Sequence, residues 1–196
     1  MSNELEIEFK NMLTEEEYRY LVQAYSTPST HTITQTNYYF DTNSNLLKKH
    51  RMGLRIRMTD DFNELTLKVP SKSDHTLTEI TDSLTEADTA LFIGKRLLPD
   101  NSVVQDYLKQ TFNLSTADLT DIGNLTTYRI ENHLDNNHLL VLDHSCYYGK
   151  DDYELEMEVT DEDEGQKYFT HFLNTHHIPV RPAQKKLARM AAARKK

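Results

Sequence analysis

The sequence predicts an α+β protein built on a β-sheet closed into a barrel with a polar interior, flanked by helices. Three observations point there. Glu4, Glu6, Glu8 and Lys10 alternate with Leu5, Ile7 and Phe9, a period of two that marks a strand with one apolar and one charged face. Far down the chain, Glu154, Glu156 and Glu158 alternate in the same way with Leu155, Met157 and Val159. Between these two carboxylate combs lie many more two-faced segments with charges on the polar face, and closing the sheet turns those faces into a lumen. Like charges on one strand face repel unless something neutralises them. A hard divalent cation takes oxygen ligands, so two combs suggest one shared metal site. A solvated edge strand is the plain alternative for either comb alone.

The elements follow in order. Residues 4–10 form the first strand. Thr14 and Glu17 make a capping-box pattern, and Tyr18, Leu21, Val22 and Tyr25 at helical spacing place a helix over 15–25. Pro28 and the Ser/Thr residues around it make a loop. Residues 33–41 read as a strand with Gln35, Asn37, Tyr39 and Asp41 on one face, and 41–45 reads as a turn. Over 51–58, Arg51, Arg55 and Arg57 oppose Met52, Leu54, Ile56 and Met58. A hairpin turn at 60–63 leads to 64–69, where Glu64, Thr66 and Lys68 oppose Leu65, Leu67 and Val69. After a loop at 70–74, residues 75–81 add a strand with Glu79 on the face of Leu77 and Thr81.

Residues 85–93 and 101–110 read as two short helices broken near Pro99 and Asp100, placed to cap one end of the sheet. Strands resume at 123–132, with Leu125, Thr127, Arg129 and Glu131 on one face. They continue at 138–145, where Val141 and Asp143 share a face, and at 153–160 with the second comb. Acidic residues at 161–164 open a helix over 163–176, as the helix dipole favours. Pro179 and Pro182 separate it from a basic helix at 183–194, whose cationic end suits the dipole.

Composition narrows the function classes. The 196 residues suffice for one domain with a real core. The net charge of -9 argues against a non-specific binder of nucleic acid or anionic membrane. No apolar run approaches the roughly 20 residues of a membrane span, and the acidic N-terminus lacks signal-peptide features, so the expectation is a soluble cytoplasmic protein. Cys146 is the single cysteine; it excludes an intrachain disulfide and reads as structural. His171, His176 and His177 lack a Cys or carboxylate partner at a usual zinc spacing.

The polar faces sort by sign. Glu4, Glu6, Glu8, Glu79, Asp143, Glu154, Glu156 and Glu158 are anionic. Lys10, Arg55, Arg57, Lys68, Arg129, and Lys185 or Lys186, are cationic. Opposite charges in a narrow lumen offset their burial only in part, and a polyanion carrying a metal completes the balance. Arg and Lys hold phosphate oxygens. Carboxylates hold Mg²⁺ or Mn²⁺, one ion neutralising developing charge and a second activating water for in-line attack.

The run Glu6-Ile7-Glu8-Phe9-Lys10 resembles the E-x-E-x-K signature of the CYTH superfamily, the triphosphate tunnel metalloenzymes. The likeness continues through Gln35, Tyr39-Phe40-Asp41-Thr42, Leu54-Arg55-Ile56-Arg57, Leu65-Thr66-Leu67-Lys68, Arg129, Asp143 and Glu154–Glu158, and reaches Lys186-Leu187-Ala188-Arg189. It covers nearly the whole chain in the family's order, and is nearest to the short bacterial YjbK-like group. The resemblance implies an antiparallel eight-stranded β-barrel over a single domain, 1–196, with a helical segment at about 85–110 and a C-terminal helix at about 183–194.

It further implies that Lys10, Arg55, Arg57, Lys68, Arg129 and Lys186 contact a triphosphate. Glu6 and Glu8, with Lys10, Arg55 and Arg57, would carry catalysis. Glu6, Glu8 and the second comb would bind Mg²⁺ or Mn²⁺, with Asp143 and Glu79 nearby. Glu156 and Glu158 are the preferred pair, and Glu154 has the same parity. The C-terminal motif departs from the family's Ser-Lys-Tyr, reading Lys185-Lys186-Leu187; Lys186 is favoured by its distance to Arg189. The implied activity is metal-dependent hydrolysis of a triphosphate, first of all inorganic triphosphate. A class IV-type adenylate cyclase and a thiamine triphosphatase share the same site logic. A non-catalytic polyphosphate- or nucleotide-binding module is the rival from another class. The partner is a triphosphate-containing small molecule, with no nucleic acid or membrane expected; the oligomeric state is not read from the sequence.

Overall fold

Alternating apolar residues build the predicted strands, and cross-strand pairing lengthens most of them. In the computed structural model these are β1 (Ser2–Leu13), β2 (Ile33–Thr42), β3 (Gly53–Met58), β4 (Asn63–Pro70), β5 (Thr76–Leu84), β6 (Leu119–His133), β7 (His138–Tyr147) and β8 (Lys150–Val159). They form a closed barrel in the order β1-β5-β4-β3-β2-β6-β7-β8. The helices are α1 (Glu15–Tyr25), α2 (Leu46–Lys49), α3 (Glu86–Lys95), α4 (Val103–Phe112), α5 (Glu162–Thr175) and α6 (Lys186–Ala193). The structure describes residues 2–27, 30–73 and 75–194. Pro28 and Ser29 of the expected loop, Asp74 of the 70–74 loop, and Lys195 and Lys196 lie outside the described residues. Among the described residues no helix is long and apolar enough to cross a membrane. The chain divides into two compact units: Thr36–Asn124 with the start of β1, and Glu6–Gln35 with the chain from Leu125 on.

In the first unit, Leu54 and Ile56 of β3, Leu65 and Leu67 of β4, and Ile80 and Leu84 of β5 share a core with Phe92 of α3 and with Val104 and Leu108 of α4. Each such side chain, fully buried, contributes about 1.5–3 kcal/mol. The expected pair of helices therefore lies over the outer face of the strands instead of capping an end, because that face carries the alternate apolar residues that need cover. Asp82 seats α4: its carboxylate accepts from the Ser102 hydroxyl at 2.6 Å and from the Val103 and Val104 amides at 3.0 and 3.1 Å.

One local expectation is extended here and another gives way. The turn expected at 41–45 forms at 43–44 and leads directly into α2. Buried Asp41 accepts from the amides of Thr42, Leu47 and Lys48 at 2.7, 2.9 and 3.0 Å, and Asn45 turns the chain at φ 56°. A helix of four residues is too short to show a period. Arg51 does not share the strand face of Arg55 and Arg57; it precedes β3 at φ 60° and is exposed.

In the second unit, Phe9, Leu13, Leu140, Leu142, Leu155 and Met157 pack with Leu21 of α1 and with Phe169, Phe172 and Leu173 of α5. The α1 capping box forms as predicted between Thr14 and Glu17. The C-terminal helix begins at Lys186, not 183. The preceding chain lies extended along β1 instead: Arg181 accepts from the Met12 amide at 2.9 Å, its own amide donates to Asn11 Oδ1 at 2.6 Å, and Pro182 bridges to Asn11.

Candidate active site

In the second unit the strand faces opposite the helices carry the charges. Phe9 stacks on Phe169 of α5 at 5.7 Å, so Glu6, Glu8 and Lys10 point the other way, to the inner face. By the same parity Arg129, Asp143, Glu154, Glu156 and Glu158 face inward. Pairing sets Arg129 opposite Asp143, Asp143 opposite Glu154, Lys10 opposite Glu156, and Glu8 opposite Glu158.

These side chains form one dense ion-pair network. Arg129 grips Asp143 with two parallel bonds, Nε at 2.9 Å and Nη2 at 2.7 Å, and Nη2 also reaches Glu156 at 3.0 Å. Lys10 Nζ lies 2.9 Å from both Glu8 and Glu156. Lys186 Nζ lies 2.8 Å from Asp143 and 3.2 Å from Glu154, and bonds Glu156 as well. Charges this buried are tolerated only when paired and hydrogen-bonded. Arg189, expected in a helix end whose cations suit the dipole and in the motif Lys186-Leu187-Ala188-Arg189, makes specific ion pairs. It bonds Glu154, and donates Nε to Asp152 at 2.7 Å. Its spacing of three from Lys186 puts both on one helix face.

The network sets the protonation states. Burial alone would neutralise Glu156, but Lys10, Lys186 and Arg129 hold its carboxyl well below the usual range. Asp143 is likewise lowered, its burial outweighed by Arg129 and Lys186. Burial opposes the charge on Lys10, and Glu156, Glu8 and Glu154 more than restore it. Glu158 behaves differently. Burial, then the charges of Glu6, Glu156 and Glu8, push it up to about 7 against the pull of Arg129. Negative charge is thus in excess around Glu6, Glu8 and Glu158, where Lys10 pairs with Glu8, whereas Asp143, Glu154 and Glu156 each face two or more cations. An excess of carboxylate oxygens fits a hard divalent cation such as Mg²⁺ or Mn²⁺.

In the first unit, Leu54, Ile56, Leu65 and Leu67 occupy the helix-covered face, so Arg55, Arg57, Thr66 and Lys68 occupy the inner one. Lys68 Nζ lies 2.6 Å from Glu79, Arg55 lies 3.9 Å from the same carboxylate, and Arg57 lies 3.6 Å from Glu64 with its Nε donating to Asn37 at 3.3 Å. Glu79, expected near a metal, sits between two cations and orients them.

Comparison with known proteins now decides the family. The CYTH domain model matches residues 4–191. The chain belongs to the CYTH family. This CYTH protein is 38% identical to the Bacillus subtilis (strain 168) protein called "Putative triphosphatase YjbK", over 100% of this chain and 99% of that one. Among solved structures it resembles a Bacillus halodurans protein described as a "putative adenylate cyclase", with a TM-score of 0.87 and 32% identity over 96% of this chain and 98% of that one. It also shares its fold with a Hippeastrum protein described as a "putative adenylyl cyclase" with a dominant triphosphatase activity, at a TM-score of 0.81 and 20% identity over 96% and 95% of the two chains. The closed eight-stranded antiparallel barrel with flanking helices is thus the CYTH fold.

Proposed function

We propose that this CYTH protein is a metal-dependent triphosphatase acting first of all on inorganic triphosphate. The observation that carries the reading is the inner-face set of Lys10, Arg129 and Lys186, gathered around Glu156 with distances of 2.9 Å to Lys10 and 3.0 Å to Arg129. Glu6, Glu8 and Glu158 would hold Mg²⁺ or Mn²⁺, which supplies neutralisation of phosphate charge. Glu79, Asp143, Glu154 and Glu156, also expected as metal ligands, act in this reading by holding cations in place. Lys10, Arg129 and Lys186 donate to phosphate oxygens, and the family resemblance gives Arg55, Arg57 and Lys68 a phosphate-contacting role as well. Donors already fixed by carboxylates need little reorganisation as charge develops. No protein nucleophile is required, because phosphoryl transfer rests on positioning and charge neutralisation. Water held by a comb carboxylate attacks a terminal phosphorus in line, the P–O bond to the bridging oxygen breaks, and orthophosphate forms as pyrophosphate leaves. A single catalytic domain over the chain and a cytoplasmic setting belong to the same proposal.

A second reading, cyclisation of ATP with release of pyrophosphate, is favoured by the likeness to the Bacillus halodurans protein. The test is phosphate and pyrophosphate release from inorganic triphosphate, ATP and thiamine triphosphate, with Mg²⁺ and then Mn²⁺. Phosphate from inorganic triphosphate alone supports the proposal. Pyrophosphate with cyclic AMP selects the cyclase. Tight triphosphate binding with no turnover selects a binding module. The double variant Glu6→Gln/Glu8→Gln is expected to lose turnover while keeping its circular dichroism spectrum; full retained metal-dependent activity overturns the metal assignment.

A further inference from the structure

A different cluster lies on the outer face of the β7–β8 hairpin. His144 and Cys146 of β7 share parity with the outward Leu140 and Leu142, while Asp143 and Ser145 point inward. Asp151 of β8 pairs directly with Cys146. The two strands are joined through Tyr148 and Gly149, both at positive φ (47° and 73°), the tight turn that fixes register across a hairpin. His144 Nε2 lies 2.7 Å from Asp151 Oδ1, Cys146 Sγ lies 3.2 Å from that oxygen, and Sγ lies 3.5 Å from Nε2. The imidazole is stacked on Tyr153 at 4.7 Å and flanked by Tyr128 at 5.6 Å.

We propose that His144, Cys146 and Asp151 form a separate site for a borderline-soft divalent cation of the zinc class. Three donors of the preferred kinds, one nitrogen, one sulfur and one carboxylate oxygen, converge on one point from two rigid strands. Tetrahedral zinc, with bonds of about 2.3 Å to sulfur and about 2.0–2.2 Å to nitrogen and oxygen, separates its ligands by roughly 3.3–3.6 Å. The Cys146–His144 separation already fits, and a shift of the exposed Asp151 carboxylate by about 0.6 Å from His144, with a few tenths of an ångström from Cys146, brings the other two to that spacing. Asp151 is exposed, which leaves the fourth position to water. Binding sends the thiol proton to solvent and places thiolate, neutral imidazole and carboxylate on the ion. A Cys-His-Asp nucleophile is the competing use of these residues. The thiol, however, donates to the Asp151 carboxylate, onto which His144 Nε2 also directs its hydrogen, and burial followed by Asp151 pushes the thiol up to about 11, the wrong direction for an activated thiol. The bound ion would staple the hairpin whose inner face carries Asp143, Glu154 and Glu156. Its soft donor set is unlike the all-oxygen set of the inner face.

The test is titration of the full-length protein with Co²⁺ as a spectroscopic probe, followed by Zn²⁺. The expected result is a thiolate-to-cobalt charge-transfer band with tetrahedral visible bands, saturating at one ion per chain and displaced by Zn²⁺. Cys146→Ser abolishes the band, and His144→Ala and Asp151→Asn each weaken binding by at least about tenfold. Circular dichroism and melting curves check that each variant is folded, and Zn²⁺ raises the melting temperature of the parent but not of Cys146→Ser. Absence of a thiolate band overturns the site. So does a band unchanged in both His144→Ala and Asp151→Asn, which would mean adventitious binding to the thiol alone. Cobalt held only by inner-face carboxylates gives no charge-transfer band and is therefore a negative result. The readout does not depend on triphosphate turnover.

Discussion

Glu156 holds three cations, Lys10, Arg129 and Lys186, so its neutral analogue exposes what the network contributes. Glu156→Gln keeps the shape and leaves buried positive charge in excess. Removing one partner from a buried pair costs about 3 kcal/mol or more, and we expect a loss of that size in urea denaturation. A change below about 0.5 kcal/mol, the size of an ordinary surface substitution, would show that the cations are otherwise neutralised. The polar-face placement of the candidate residues was legible: a comb of three glutamates shows in an alternating run. The partners of Arg189 and Asp151 were not, because they lie on other strands or helices.

Among the elements, α1 is tied down at its start. Glu17 closes the capping box with Thr14, and Arg181 forks onto its carboxylate at 2.8 and 3.0 Å. Burial would raise the Glu17 pKa, but the Arg181 and Thr14 hydrogen bonds hold it below the usual 4.5. A carboxyl more acidic folded than unfolded stabilises above its unfolded value, and that contribution is lost as pH falls through the folded value. Glu17→Gln should therefore lower stability at pH 7, by about 1 kcal/mol as for other caps, and approach the parent in acid. Parallel melts at pH 7 and pH 3 check this; an equal deficit at both values would disprove the linkage. Asp82→Ala removes the acceptor of Ser102 and two amides at the start of α4, and unsatisfied buried donors cost about 1–3 kcal/mol each. A stability loss of at least about 2 kcal/mol is expected by chemical denaturation.

Helix α5 is seated equally closely: a Cβ at Gly165 would stand 2.5 Å from Val159 Cγ2 and 2.9 Å from its Cβ. Gly165→Ala should cost about 1–3 kcal/mol as overpacking, although alanine favours helices; a more stable variant would refute the close approach. These elements were predicted within a few residues because caps and periodicity are local. The four-residue α2 was missed because it is organised by Asp41 rather than by any period.

For the molecule as a whole, a ligand bound by the folded state alone must stabilise it. Inorganic triphosphate at about a hundred times its Kd should raise the unfolding free energy by about 2.7 kcal/mol, read as a higher melting temperature, and added salt should diminish the shift as phosphate contacts are screened. No shift at any concentration would count against the triphosphate reading. The inward charge of each strand was written in the sequence, because side-chain parity is a local property of an extended chain: Glu6, Glu8, Arg55, Arg57 and Lys68 could be assigned to the polar face without a structure. Which charge meets which depends on register and closure. Lys10 and Glu156 are 146 residues apart, Arg129 finds Asp143 across β6–β7, and Arg189 reaches Glu154 from a helix. The outer trio of His144, Cys146 and Asp151 exists only because a two-residue turn pairs Cys146 with Asp151. Alternation says which way a side chain points, but only the hydrogen-bonded ladder and the packed helices decide what it meets.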